Sequence, residues 1–417
     1  MQNLINRSLN TAQNLYFCKV YFLFFLIISV VLGFLPVTTF AHKYSNQKET
    51  YPAHKKDFLP EESTLFPFKR QFINVTDYFT EDNLKFDINT NPHGIFTSDD
   101  NDTSTTADAN ARKELIELKR QHKKSLISYI DVGNPDADPI VLFHGIPTSS
   151  FEWREIISTL AEHGRVIAFD QLGQGYSSKH RSLTYTYKQQ LAYTEAFFSA
   201  LQLDQKKVTI VATDTGGSLG FAYAMRHPEQ IKGIAFFETV FGPVPSLDRM
   251  TKQAQVFRSP EGNKKIITEN TFIKNLIDHS SEIIPPNDTP FTIREFTAEE
   301  TRSYKHPYLN KKHRRVLAQW VMEIPFMGGS HDGFGDTNID IWGKFAAYLM
   351  TSPVPKLYLF AEPGVLNTID TTHFVIDNFN TEGSLNWVNL GLGYHFLQED
   401  YPEQIGQEIV DWYQNLP

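Results

Sequence analysis

Cysteine is nearly missing from this 417-residue chain: the single one is Cys18. Disulfides, cysteine-ligated zinc and a thiol nucleophile are therefore excluded for everything that follows it, and stability must come from core burial. Basic runs and basic-aromatic interleaving are also missing, and the formal net charge is −9. A nucleic-acid partner has no electrostatic footprint here, which leaves small neutral substrates as the better default. Acids are absent from the first 41 residues, which carry Arg7 and Lys19, run apolar from Val20 to Leu35 and reach Thr39-Phe40-Ala41. This reads as an export signal cleaved after Ala41. The alternative is an uncleaved membrane anchor, since Val20 to Phe40 is nearly long enough to span. Either way the folded part is expected outside the cytoplasm, periplasmic or secreted. Removing the leader takes away two positive charges and moves the formal charge from −9 to −11.

What is present suits a large globular enzyme. With 41% hydrophobic and 13% aromatic residues, the chain can fill a deep core. Residues 42–67 are polar and proline-punctuated and suggest an arm. Core elements are expected over 68–245, interrupted by a low-complexity polar insertion at about 80–124 that ends in a charged helical stretch, Ala111 to Lys124. Phe68–Val75 reads as a strand before this insertion, in a hairpin. Apolar strands at 139–144, 165–170, 208–214 and 231–238 then alternate with helices near 153–163, 187–201 and 218–226. Short unbroken apolar strands between helices mean a parallel sheet covered on both faces. Residues 246–336 carry helical patterns without strands and read as a helical cap. Core elements resume over 337–417 with strands at 356–361 and 385–390 and a closing amphipathic helix at 402–416.

The chemistry concentrates at strand ends. Ala212-Thr213-Asp214-Thr215-Gly216-Gly217 follows one strand and precedes a helix, the context of a nucleophile elbow, where a tight turn demands small neighbours around a strained central residue. Here the central residue is Asp214. A carboxylate nucleophile attacks a tetrahedral carbon bearing a leaving group and becomes an ester, which water must then cleave with help from a base. His395, in Gly391-Leu-Gly-Tyr-His395-Phe-Leu-Gln-Glu beyond the last strand, is the candidate base. Glu238, at the end of Ile234-Ala-Phe-Phe-Glu, is the candidate acid that orients it, with Asp370 as the alternative. His144-Gly145-Ile146-Pro147-Thr148-Ser149-Ser150 follows the strand at 139–143, so the backbone N–H groups of Ile146 and Thr215 are the expected oxyanion hole. His144 reads as structural. Asp170 to Ser177 lacks the lysine and the spacing of a phosphate loop. Asp332-Gly-Phe-Gly-Asp336-Thr-Asn338-Ile-Asp340 does not fit a calcium loop. Nothing else suggests a metal or an organic cofactor.

These segments resemble the haloalkane dehalogenase family, in the subfamily whose acid follows the sixth strand and which also contains the coelenterazine luciferase of sea pansies. The resemblance covers His144 to Arg154, Asp170 to Ser177, the elbow, Lys232 to Glu238, Pro353 to Leu366 and Leu390 to Ile409. It implies an α/β-hydrolase fold with a mostly parallel eight-stranded sheet, helices on both faces and an inserted helical cap. It also implies that Asp214 is the nucleophile, His395 the base and Glu238 the acid, acting with water on a small apolar organic substrate. The departures fall where the family holds the leaving halide, since an asparagine stands there in place of Ile146 and a tryptophan in place of Thr215. Each lost donor is expected to cost roughly 3 kcal/mol in the carbon–halogen step. Epoxide hydrolysis competes, with Tyr304 and Tyr308 of the cap as candidate proton donors. Trp320 is a candidate replacement for a halide donor, with packing as its plainer role. Oxygenase chemistry like that of the luciferase, and an exported binding protein that keeps the fold without dehalogenation, complete the alternatives.

Overall fold

In the computed structural model, residues 64–80, 113, 125–180, 183–277, 291–327 and 338–417 are described. The expected leader, most of the arm, the insertion apart from Lys113, and Asp332 to Asp336 lie outside the described residues. Eight strands form one sheet: β1 (Gln71–Asn74), β2 (Leu126–Gly133), β3 (Pro139–Phe143), β4 (Arg165–Phe169), β5 (Val208–Thr213), β6 (Ile231–Thr239), β7 (Lys356–Pro363) and β8 (Leu385–Gly393). Their spatial order is β1-β2-β4-β3-β5-β6-β7-β8. The hairpin strands β1 and β2 pair antiparallel, as do β2 and β4, and every later pairing is parallel. All residues of β3 and β5 are buried, as strands covered on both faces must be.

From β3 the chain crosses to β4 on one side, then to β5 on the other. Right-handed crossovers in opposite directions put the helices on opposite faces, and they open a crevice at the carboxyl ends of β3 and β5. The covering helices are α1 (Arg154–Ala161), α2 (Tyr187–Ala200) and α3 (Asp214–Arg226). Helix α3 begins four residues before the expected Ser218. Its start is set by the turn at Asp214, which overrides the weak helical preference of Gly216 and Gly217.

Between β6 and β7 the chain adds α4 (Lys252–Arg258), α5 (Pro260–Glu269), α6 (Thr271–Leu276), α7 (Ala298–Lys305) and α8 (Arg315–Glu323). Their starts carry ordinary signals. Thr251, Ser259 and Thr297 cap α4, α5 and α7, and Thr297 with Glu300 completes a reciprocal capping box. A single parallel bridge, Val244 to Phe326, clasps the two ends of this helical stretch. Two helices that the sequence reading did not name follow, α9 (Ile339–Thr351) and α10 (Ile369–Asn378). The segment after 337 thus opens with a helix and reaches the sheet only at Lys356. Helices α11 (Leu397–Asp400) and α12 (Pro402–Gln414) close the chain.

Arg70, just before β1, fastens the hairpin to the sheet. Its Nη1 donates to Asp170 Oδ2 at 2.9 Å, Ser150 Oγ at 2.9 Å and Ser128 Oγ at 3.1 Å. Both charged side chains are buried. Burial disfavours the Asp170 charge, but the guanidinium, His144 and the amides of Tyr176 and Ser150 together outweigh it and hold the carboxyl below its ordinary range. Arg70→Met removes the cation and leaves a buried carboxylate. The expected cost is about 3–5 kcal/mol, read from urea denaturation. A loss below about 1 kcal/mol would show that the amides of Ser150 and Tyr176, which also donate to Asp170, suffice without Arg70.

Candidate active site

Asp214 occupies the junction of β5 and α3 with φ +48°, and Glu238 near the end of β6 has φ +40°. Both values lie in the left-handed region that side chains other than glycine's rarely adopt, and such strain persists only where the surroundings enforce it. Here they do. A Cβ on Gly216 would strike the carbonyl oxygens of Phe143 and His144, and one on Gly217 would strike Thr239 Oγ1. That same Thr239 hydroxyl donates to the Asp214 carbonyl at 2.6 Å. A Cβ on Gly145 would meet the Asp214 side chain. The elbow therefore packs backbone to backbone against the ends of β3 and β6, and the three glycines permit it.

The Asp214 carboxylate is held at both oxygens. The Ile146 N–H donates to Oδ1 at 2.9 Å, and the Thr215 N–H also bonds this carboxylate. Oδ2 lies 3.2 Å from His395 Nε2. On the other side of the ring, His395 Nδ1 lies 3.0 Å from Glu238 Oε2. Glu238 in turn accepts the backbone N–H groups of Val365, Leu366 and Asn367, at 2.9–3.1 Å. The loop after β7 thus forms a cradle for Glu238 that the sequence reading did not identify. Its signal was Pro363-Gly364, since Gly364 has φ +67° and a Cβ there would crowd the loop. The His395 N–H donates to the Phe291 carbonyl at 3.0 Å. The Asp214 side chain retains 14% exposure, against 5% for His395 and 1% for Glu238, so the Asp214 carboxylate is the member open to solvent.

Burial opposes charge on Asp214 and on His395, and the arrangement counters it by pairing. Burial works against the Asp214 carboxylate, but His395 and the two amides outweigh it and hold it below the ordinary range. For His395 burial again opposes the charge, yet bonds to Asp214 and Glu238 push it up to about 10. The resting group is an imidazolium between two carboxylates. His144 is different. Its Nε2 accepts the Gln171 N–H, so its Nδ1 carries the proton and donates to the Gly145 carbonyl. Burial lowers its pKa, and it fixes the loop as a neutral ring.

The remaining candidates divide. Ile146 and Thr215 both lie at the carboxylate through their N–H groups, and the Thr215 Oγ1 hydroxyl is buried without a partner among the described residues. Asp370 sits in the first turn of α10, while the place beside His395 Nδ1 is taken by Glu238. The phenol of Tyr304 donates to Glu399, and that of Tyr308 donates to the Thr148 carbonyl at 3.3 Å. Each phenol is thus bonded to a group of the core rather than left open. Trp320 is buried, packs edge-on against Tyr187, and has an Nε1 with no partner among the described residues. A buried charge network escaped sequence reading altogether. Arg154 binds Glu399 at 2.6 Å and Glu300 at 2.7 Å, and Arg294 joins both acids. Among the described residues no three metal-ligating side chains converge.

Comparison with known proteins agrees with this geometry. Residues 138–271 match the alpha/beta hydrolase fold family. A haloalkane dehalogenase of Sphingobium indicum is 34% identical over 313 residues, which span 73% of this chain and 96% of that protein. One from Mycolicibacterium smegmatis is 31% identical over 297 residues, spanning 70% and 88%. Among solved structures, the haloalkane dehalogenase DatA of Agrobacterium tumefaciens superposes with a TM-score of 0.60 at 30% identity, over 70% of this chain and 94% of that one. The haloalkane dehalogenase DbeA of Bradyrhizobium elkani gives 0.61 at 28% identity, over the same shares. On the sheet order, the identity and the near-complete coverage of these relatives, the chain is a hydrolytic enzyme that belongs to the haloalkane dehalogenase family of α/β hydrolases.

Proposed function

We propose that this enzyme hydrolyses small apolar substrates at a halogen-bearing sp³ carbon through an ester on Asp214, with His395 as base and Glu238 as the acid that orients it. One observation carries the reading: a single imidazole stands 3.2 Å from Asp214 Oδ2 and 3.0 Å from Glu238 Oε2. In the first half, an Asp214 oxygen forms a bond to carbon and the halide leaves with the bonding pair. The ester is neutral. It removes one of the two negative charges that keep His395 protonated, so the imidazolium loses its proton and becomes a base at the moment one is needed. In the second half His395 takes a proton from water, whose oxygen attacks Cγ of Asp214. The Ile146 and Thr215 N–H groups face the oxyanion that forms. Collapse expels the alcohol, which takes the proton of the added hydroxyl, and restores the carboxylate beside an imidazolium.

The side chain of Ile146 has no donor for a leaving halide, and Thr215 offers a hydroxyl alone. The carbon–halogen step is therefore the weak half and the hydrolytic step the strong one. The phenols of Tyr304 and Tyr308 are bonded to Glu399 and to the Thr148 carbonyl, which favours haloalkanes over epoxides as the substrate class.

His395→Phe treated with 1-bromobutane should accumulate the ester, and peptide mass spectrometry should place the added butyl group on Asp214. An unmodified Asp214 peptide, alongside bromide release by the wild type, removes the mechanism. Ile146→Asn restores a side-chain donor, and kcat/KM for the same bromide should rise by on the order of 10²-fold, measured as halide release. No rise would mean that halide stabilisation does not limit the step. The raised His395 pKa also links stability to pH. Its contribution is fully present below the unfolded value of 6.5 and is lost as pH rises through about 10. Urea midpoints of the wild type should fall across that window, and His395→Gln should flatten the curve; parallel curves would contradict the assignment.

A further inference from the structure

Glu152 is 1% exposed and lies in the turn of 3₁₀ helix Ser150–Trp153 between the Ile146 loop and α1. Its Oε1 accepts the Gly145 N–H at 3.2 Å, and its Oε2 accepts Gln398 Nε2 at 3.2 Å. Gly145 immediately precedes Ile146, whose N–H binds Asp214, and Gln398 follows His395 by three residues. One carboxyl therefore spans the two loops that address the Asp214 carboxylate. Among the described residues no cation lies within ion-pair distance of it. Arg154, on the next turn, is taken by Glu399 and Glu300, and His395 is taken by Asp214 and Glu238. The groups that face Glu152 are instead Asp214, Glu399 and the Tyr304 phenol.

We propose that Glu152 is a positioning residue for the hydrolytic half of the reaction, tying, as a neutral acid, the loop that presents the Ile146 N–H to the loop that presents His395. The inference rests on the ester mechanism given above. A buried carboxyl among acids and without a cation keeps its proton. Burial foremost, with Asp214 and Glu399 adding to it, outweighs the Thr148 and Gly145 hydrogen bonds and pushes Glu152 up to about 8. The Gln398 carboxamide fits the neutral form, since its Oε1 is buried with no donor among the described residues. Half a turn of that amide lets the Glu152 O–H donate to it. Once ionised, Glu152 adds a negative charge beside the oxyanion forming on Asp214 and pulls harder on the Gly145 N–H. Both effects slow ester cleavage above about pH 8.

The test follows formation and decay of the 1-bromobutane ester by rapid quench and mass spectrometry, across about pH 6–10, in the wild type, Glu152→Gln and Glu152→Leu. The wild type should lose decay rate above about pH 8, and Glu152→Gln, which keeps both bonds and does not ionise, should not. Glu152→Leu should slow decay on the order of tenfold at every pH while leaving ester formation at the wild-type rate. Carboxyl-¹³C glutamate labelling gives a check independent of turnover: the resonance missing from Glu152→Gln should titrate near pH 8. An alkaline fall that persists in Glu152→Gln, wild-type decay in Glu152→Leu, or a resonance that titrates in the ordinary carboxylate range overturns the inference alone. Absence of the butyl ester from His395→Phe, in which it cannot be cleaved, overturns the proposed mechanism and this inference with it.

Discussion

An imidazole held between a half-buried carboxylate, Asp214, and a buried one, Glu238, is the constraint around which this molecule is arranged. Removing these charges from water is unfavourable, and the two carboxylates together outweigh the desolvation of His395. The pairing works because each partner is itself supported. Three amides of the loop after β7 hold Glu238, and the Ile146 N–H and the strained elbow hold Asp214. The burial of the Arg154–Glu399 pair behind the His395 loop follows the same rule. So does the cradle's own architecture. β7 and β8 run beside β6, so the loop that binds Glu238 and the loop that carries His395 arrive together at the carboxyl end of the sheet.

Much of this was legible in the sequence where the signal was local. The run Val208–Thr213 followed by small residues announced a strand ending in a tight turn, and the turn itself named Asp214. Glu238 was legible for a related reason, since an acid that ends an otherwise apolar buried strand has to meet a partner. The start of α3 was misplaced because its signal is not helical propensity but the geometry of the turn before it. What lay beyond reading was contact between distant segments. Arg154 and Glu399 are 245 positions apart, and nothing in either neighbourhood encodes the other. Tyr304 and Tyr308 illustrate the same limit, because a phenol's chemistry is written in its residue type while its direction is set by packing.

Specificity and catalysis are separable in this arrangement. In the proposed mechanism the hydrogen bonds that face the oxyanion come from backbone, and they do not depend on which side chains stand at 146 and 215. The groups that the same proposal sets against a departing anion are the side chains of Ile146 and Thr215. Under that mechanism, changes at these two positions alter the leaving group without disturbing the machinery that frees the product.

The bridge between Val244 and Phe326 has a consequence for how such a protein varies. The chain departs from the scaffold and rejoins it at one point, and the stretch in between is tied to the core again by Glu300 on Arg154, Arg294 on Glu399 and the Phe291 carbonyl on the His395 N–H. Repacking near Phe291, Arg294 or Glu300 therefore reaches the loop that carries His395. The stretch is free to diversify only where it makes none of these bonds.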